Sequence, residues 1–217
     1  KALDRAAAFF RNNLSHPSVA AYLQRRGLSP STIEEFGLGY APDSWSATRD
    51  ILTQEGFGTA VLRETGLNVE SDKGRGDYDR FRGRLMFPIH DLQNRVVAFG
   101  GRILEQGEPK YLNSPETEVF EKGKHLFGLD KAVNAIRKDD RAVVVEGYFD
   151  VIALHAAGIT NAVASLGTAL SSQQITQLCR CCEGRRIVLN FDSDGAGVRA
   201  AQRAIGEVEQ LALQGQL

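Results

Sequence analysis

Three short apolar runs, Val143-Val144-Val145, Ala162-Val163-Ala164 and Ile187-Val188-Leu189, recur along the last third of the chain with helical patterning after each. No other feature of the 217 residues restricts the fold as strongly. Uninterrupted apolar runs of strand length are buried on both faces, and a helix between successive strands makes those strands parallel. The predicted order is a strand from Ala142, a helix near Phe149 to Ala157, a strand at Ala162 to Ala164 and a helix from Ser172 to Cys182 capped by Ser171. A strand at Ile187 to Leu189 and a helix from Ala196 to Leu213 complete it. This is an α/β arrangement with a parallel sheet.

The preceding residues follow a different pattern. Leu3, Ala6, Ala7, Phe10 and Leu14 recur at helical spacing. A second helix ends at Gly27, and Ser29-Pro30 opens a third, with serine as N-cap and proline in the first turn. Helices are also expected over Ala47 to Glu55 and Ala60 to Glu64. The charged, glycine-containing run from Glu70 to Asp79 is expected to be an exposed, mobile loop. Arg84 to His90 and Arg95 to Arg102 form a predicted hairpin around Asp91-Leu92-Gln93-Asn94. Residues 103–124 look irregular, and Leu126 to Arg137 helical. This half is α+β.

Composition excludes several classes. Hydrophobic residues make up 42% and charged residues 24%, values ordinary for a globular chain. No stretch has the length and apolarity of a membrane-spanning helix, and no leader pattern opens the chain. The three cysteines (Cys179, Cys181, Cys182) lack a partner pair at zinc spacing, so no zinc site is expected; buried thiols in a reducing compartment suffice. Lys1 in place of methionine suggests a piece of something longer.

Chemistry concentrates in residues 142–179, where an average stretch would carry about nine charges. Only Glu146 and Asp150 are charged, and both are acids. Glu146 directly follows the first strand of the sheet, and Asp192 and Asp194 follow the third. Parallel sheets bind ligands beyond their carboxyl ends, so these three carboxylates can converge. Gathered acids repel and raise one another's pKa, and no Lys or Arg lies within 187–198 to relieve them. A hard divalent cation, Mg²⁺ with Mn²⁺ as an alternative, resolves the repulsion. Each acid alone has a plainer explanation: Asp194 or Ser193 as a helix cap, Asp150 as a first-turn acid, Glu146 as a loop residue.

The blocks Val145-Glu146-Gly147-Tyr148-Phe149-Asp150, Ala164-Ser165-Leu166-Gly167-Thr168 and Phe191-Asp192-Ser193-Asp194-Gly195-Ala196-Gly197 resemble the three signatures of the TOPRIM domain. Tyr78 to Ile89, Phe99-Gly100-Gly101-Arg102 and Pro109 to Thr117 resemble the bacterial DnaG-type primases, and the likeness runs from about Tyr22 onward. It implies an RNA polymerase core that makes RNA primers on single-stranded DNA from NTPs, in the bacterial cytoplasm at the replication fork. A primase-specific N-terminal α+β subdomain (1–138) would precede a TOPRIM subdomain (139–217). Carried over residue by residue, Glu146, Asp192 and Asp194 would be catalytic and hold metal, with Asp150 supporting. The ions would activate the primer 3′-hydroxyl, orient the α-phosphate and neutralise departing pyrophosphate. Arg26, Arg82, Arg84, Arg102, Lys110, Asn113 and Lys122 would contact nucleic acid or NTP, although any single Arg or Lys is more commonly solvated surface.

The resemblance implies a further acidic motif beyond Leu217, and zinc-binding and helicase-binding modules that are not found within these residues. The resemblance therefore implies an incomplete metal site, a monomer with weak or absent activity alone, and helicase and single-strand-binding protein contacts made elsewhere in a full-length protein. Another TOPRIM enzyme, a topoisomerase or nuclease, is the alternative within enzymes; a non-catalytic TOPRIM scaffold for DNA is the alternative outside them. The net charge of −1 conceals segregation. Arg5, Arg11, Arg25 and Arg26 stand against Asp4 near the start, and residues 73–84 carry five basic residues against Asp77 and Asp79. Such a basic path beside an acidic site suits a polymerase.

Overall fold

A computed structural model describes residues 1–71, 76–167, 169–184 and 186–215. The centre of the expected loop, including Lys73 and Arg75 of the basic segment, lies outside the described residues, as does Thr168 of the second TOPRIM-like block. The elements in chain order are α1 (Ala2–Asn12), α2 (Pro17–Arg25), α3 (Pro30–Glu35), β1 (Gly39–Ala41), α4 (Ala47–Gln54), α5 (Thr59–Glu64), β2 (Asn68–Val69), β3 (Tyr78–Asp79) and β4 (Arg84–His90). They continue with β5 (Val96–Ile103), β6 (Tyr111–Asn113), α6 (Leu129–Asp139), β7 (Ala142–Val145), α7 (Tyr148–Ala156), β8 (Ala162–Ala164), α8 (Ser172–Cys179), β9 (Ile187–Leu189) and α9 (Gly195–Leu213).

The chain divides into two compact units. One comprises Lys1–Ile89 and Arg95–Phe120, the other His90–Asn94 and Glu121–Leu217. In the first, a four-stranded sheet runs β1-β4-β5-β6. Leu3, Ala6, Ala7 and Phe10 of α1 enter its core with Leu52, Leu62, Phe81, Met86 and Phe99, whereas Leu14 stays half-exposed. Close packing of α1 on β1 depends on Gly39: a Cβ there would stand 2.6 Å from that of Phe10. Ser29 caps α3 by accepting the Thr32 N–H at 3.1 Å, as its position before Pro30 predicts.

Four short strands, β1, β2, β3 and β6, were not foreseen. β1 pairs with β4, β2 with β3, and β6 with β5, all antiparallel. Tyr78 and Asp79, expected in a loop, are therefore strand residues, and residues 103–124 are not irregular throughout.

In the second unit, β7 lies between β8 and β9 with both pairings parallel, in registers that set Val145 beside Ala164 and Val144 beside Leu189. Ile136, Val144, Val163, Ile175 and Leu178 form its core. Ser171 caps α8 in a reciprocal box with Gln174. That helix stops at Cys179 rather than Cys182, because the chain tightens into a turn in which the Cys181 N–H reaches the Leu178 carbonyl at 2.9 Å. α6 starts three residues later than its apolar pattern suggests. Phe127 is bridged to Ala164, and Gly128 takes a left-handed conformation before the first helical turn. The expectation that both sheet faces are covered holds for β7 and β8 but not for β9, whose Val188 is 43% exposed. The hairpin tip also belongs to this unit: His90 Nδ1 lies 3.8 Å from Asp130 Oδ2, which accepts from Lys131 Nζ at 2.8 Å.

Candidate functional site

The acids sit where the parallel sheet places them. β7 ends at Val145, so Glu146 is the first residue past its carboxyl end. β9 ends at Leu189, and the Asn190 N–H still reaches the Val144 carbonyl at 2.8 Å, carrying the alignment one residue further before Asp192. Glu146 Oε1 accepts the Asp192 backbone N–H at 3.0 Å. Two strand ends are thereby joined through a carboxylate and an amide. Asp150 Oδ2 accepts the Gly147 N–H at 3.0 Å, at the start of α7. Asp194 caps α9, its Oδ1 accepting from Ala196 N at 2.9 Å and Gly197 N at 2.8 Å. Those two amides hold the Asp194 carboxyl below the usual range.

Gly197 is required by this packing. A Cβ there would overlap the Asp192 carbonyl oxygen and stand 2.8 Å from Glu146 Oε1. Glu146, Asp150 and Asp192, with Asn190 and Phe191, line a cleft of about 240 Å³. Glu146 also borders a second cleft of about 290 Å³, with Ser165, Gly167 and Arg203 among its walls.

The side chains do not all converge. Among the described residues no three His, Cys, Asp or Glu side chains form a group that could hold a metal ion. Asp194 is turned to the helix it caps, and Asp150 to the Gly147 amide. The side chains are not gathered, but the chemistry of the lining suits a hard cation, since Glu146, Asp150 and Asp192 border one cleft and carry only oxygen donors. The described cysteines lie elsewhere, with Cys182 buried and donating to the Leu178 carbonyl at 3.3 Å.

The predicted basic residues fall into different environments. In the first unit, Arg26 donates from Nε to the Tyr22 hydroxyl at 3.0 Å, with its guanidinium carbon 5.4 Å from the Tyr22 ring centre. Arg102 lies at the same 5.4 Å from that ring and 5.2 Å from Tyr111, and donates to the Tyr111 hydroxyl at 2.6 Å. Arg82 rests 4.1 Å above the Trp45 ring and donates to the Asp79 carbonyl. Lys110 is exposed. Asn113 presents its carbonyl to Arg80 Nε and Nη2 at 3.1 and 2.9 Å.

Arg84 is neither solvated surface nor an exposed phosphate contact. It is 6% exposed and donates to the carbonyls of Pro109 at 2.9 Å and Gly101 at 3.4 Å. Burial lowers its pKa, with Arg82 and Arg80 adding repulsion. Lys122 belongs to the second unit, half-exposed, its carbonyl accepting from Gln174 Nε2 at 2.8 Å. The aromatic partners Tyr22, Tyr111, Trp45 and Tyr78 were not identified from sequence as site residues. Only Tyr22 carried a local signal, four residues before Arg26 on one helix face.

Residues 9–133 match the family described as the DNA primase catalytic core, N-terminal domain, and residues 140–215 match the Toprim domain. A DNA primase of Synechococcus elongatus is 62% identical over 98% of this chain, which spans 31% of that protein. The chain thus has about a third of the length of such relatives. A crystal structure of a DNA primase domain from Pseudomonas aeruginosa has a TM-score of 0.87 at 46% identity, covering 95% of this chain and 65% of the other. A DnaG primase catalytic domain bound to ssDNA gives 0.83 at 41% identity, covering 94% and 63%.

Proposed function

This chain belongs to the DnaG-type DNA primase family, and from that premise we propose that it is the nucleotidyl-transferring part of a primase, joining ribonucleotides on a single-stranded DNA template. The observation that carries the reading is the junction of Glu146 with Asp192 at the carboxyl edge of the parallel sheet, with a carboxylate-lined cleft beside it. On this reading residues 1–138 supply the primase-specific part and 139–217 the TOPRIM part.

Glu146, Asp150 and Asp192 would hold Mg²⁺, which when bound supplies charge neutralisation and an acidified hydroxyl for phosphoryl transfer. Glu146 keeps the two strand ends in register through the Asp192 amide. Asp194 fixes the first turn of α9 and thereby the loop carrying Asp192. Arg26 and Arg102, gathered on Tyr22, and exposed Lys110 would take phosphates of template or NTP, the arginines through paired donors and the lysine as a point charge. Buried Arg84 contributes by holding β4 and the Pro109 segment in place. No helix among the described residues is long and apolar enough to cross a membrane. Cytoplasmic residence and a monomeric state belong to the same proposal, as do helicase and single-strand-binding protein contacts made through other parts of a full-length protein.

The test is incorporation of labelled ribonucleotides on a primed single-stranded template with Mg²⁺ by a full-length primase that contains this chain, comparing it with its Glu146→Gln and Asp192→Asn variants. Loss of about 100-fold or more with DNA binding retained is expected for removal of metal-holding carboxylates. Undiminished incorporation in both variants would overturn the assignment.

A further inference from the structure

Gln174 stands in the first turn of α8 and is completely buried, although glutamine is mostly a surface residue. Its Oε1 accepts the Ser171 N–H at 3.0 Å, and the Ser171 Oγ accepts the Gln174 N–H at 3.2 Å. That reciprocal cap uses only the side-chain oxygen. The amide nitrogen is spent on a different part of the chain. Nε2 donates to the carbonyls of Lys122 at 2.8 Å and His125 at 2.7 Å, 52 and 49 residues earlier. Ser171 Oγ donates to the Gly123 carbonyl between them. Both N–H groups of the buried amide therefore have acceptors.

The segment they hold belongs to no helix or strand. Residues 121–126 lie between β6 and α6, and the Lys124 N–H closes a turn on the Glu121 carbonyl at 2.9 Å. Backbone groups in such a turn have no ladder to satisfy them and take partners from side chains. Just beyond the turn, Phe127 and Ala164 exchange backbone bonds of 2.9 and 3.1 Å. One stretch of chain is thus tied to the end of β8 and to the start of α8. Ser165, Gly167 and Leu170, which lie between those two points, line the cleft that Glu146 borders.

An apolar side chain at position 174 would bury as well and leave the Lys122 and His125 carbonyls without this donor. A satisfied buried amide adds little net stability but fixes geometry, so what Gln174 contributes is the place of the turn. The turn carries two lysines. Lys124 is engaged by Glu121, and the Gln174 bond falls on the peptide of Lys122 itself. Lysine is a point charge on a flexible stem, so the place of its backbone decides what the ammonium can reach.

We propose that Gln174, assisted by Ser171, is a positioning residue for NTP binding: it fixes the backbone from which Lys122 meets the NTP phosphates. The proposal rests on the primase reading, with Lys122 as a phosphate contact, and deepens it by assigning the group that sets that contact. Gln174 touches no substrate and acts through the turn.

The test uses a full-length primase that contains this chain, measuring kcat and KM for NTP on a saturating single-stranded template. Gln174→Met keeps the length and bulk of the side chain but removes both donors. It is expected to raise KM about 10-fold while changing kcat less than about 2-fold, the pattern of lost uniform binding. Lys122→Ala should produce the same split. In the double variant the second change should add less than about 2-fold, because both remove one interaction. Should Gln174→Met fail to fold, Ser171→Ala takes its place, with a KM rise of about 3-fold that vanishes in the Lys122→Ala background. Losses that multiply in the double variant, or a KM unaltered by the change at 174 or 171 while Lys122→Ala raises it, would overturn the positioning role and leave the primase reading intact. A KM unaltered by Lys122→Ala would overturn the phosphate contact and the positioning role together. Failure of the primase reading itself shows separately, as undiminished incorporation by the Glu146→Gln and Asp192→Asn variants.

Discussion

Glu146 Oε1 accepts the backbone N–H of Asp192 at 3.0 Å across a sequence separation of 46 residues, so one carboxylate fixes the relative position of two strand ends. Glu146→Gln keeps an oxygen for that amide but loses the charge. The fold is expected to survive while Mn²⁺ affinity, read by a metal titration, drops about tenfold or more, equivalent to about 1.4 kcal/mol. Unchanged affinity would remove Glu146 from the metal site.

Glycine substitutions within α9 should have opposite signs. Gly197→Ala drives a methyl into the Asp192 carbonyl and towards Glu146, and is expected to destabilise by about 1–3 kcal/mol. Gly206→Ala meets no atom within 4 Å and should stabilise by about 0.5–1 kcal/mol. Thermal melts of the two variants check this, at about 2–4 °C per kcal/mol for a chain of this size.

Two aspartates should oppose each other in acid. Hydrogen bonds from the Gly197 and Ala196 amides lower the Asp194 pKa in the folded chain, so its stabilisation is present above the unfolded value of about 3.9 and fades as pH falls through the folded one. Burial raises the Asp79 pKa despite its amide partners. Its contribution is therefore complete below about 3.9 and diminishes as pH rises through the folded value. In melts between pH 2 and 7, Asp194→Asn should flatten the acid limb of the stability curve. Asp79→Asn should remove a decline with rising pH, and lower stability throughout by about 1–3 kcal/mol, because one amide loses its acceptor.

Arg84 and Lys110 should separate structure from binding. Arg84→Ala leaves the Pro109 carbonyl without its donor and is expected to cost about 2–4 kcal/mol. Lys110→Ala should change stability by less than about 0.5 kcal/mol. It should also reduce the salt dependence of single-strand binding by about 0.7 in the slope of log K against log salt. Denaturant melts and a salt titration measure the two effects.

The legible parts of the fold are those in which a chain segment carries its own explanation. Val143 to Val145 reads as a buried strand because it is uniformly apolar, and Ser171 announces a helix because its hydroxyl can take the amide three residues on. β1, β2 and β6 have two or three residues each and exist through their partners, so no periodicity reveals them. The candidate site divides in the same way. The positions of Glu146 and Asp192 at strand ends follow from the α/β pattern, whereas the turning of Asp194 to α9 and Asp150 to Gly147 is decided by local amides that compete for the same oxygens. Arg84 reads as one arginine among several until its burial by Gly101 and Pro109 is seen. Trp45 lies in no apolar pattern, and its ring stays outside the core.

The tip of the β4–β5 hairpin, His90–Asn94, groups with the later unit although the 26 residues Arg95–Phe120 separate it from the rest of that unit. Inheritance by segment and integrity of packing therefore obey different boundaries. A chimera importing residues 140–215 from a relative would keep the host's five tip residues, its His90–Asp130 pair and its α6. Severing the chain after Phe120 would strip the tip from the unit it completes. The later unit can be exchanged as a whole only when those five residues travel with it.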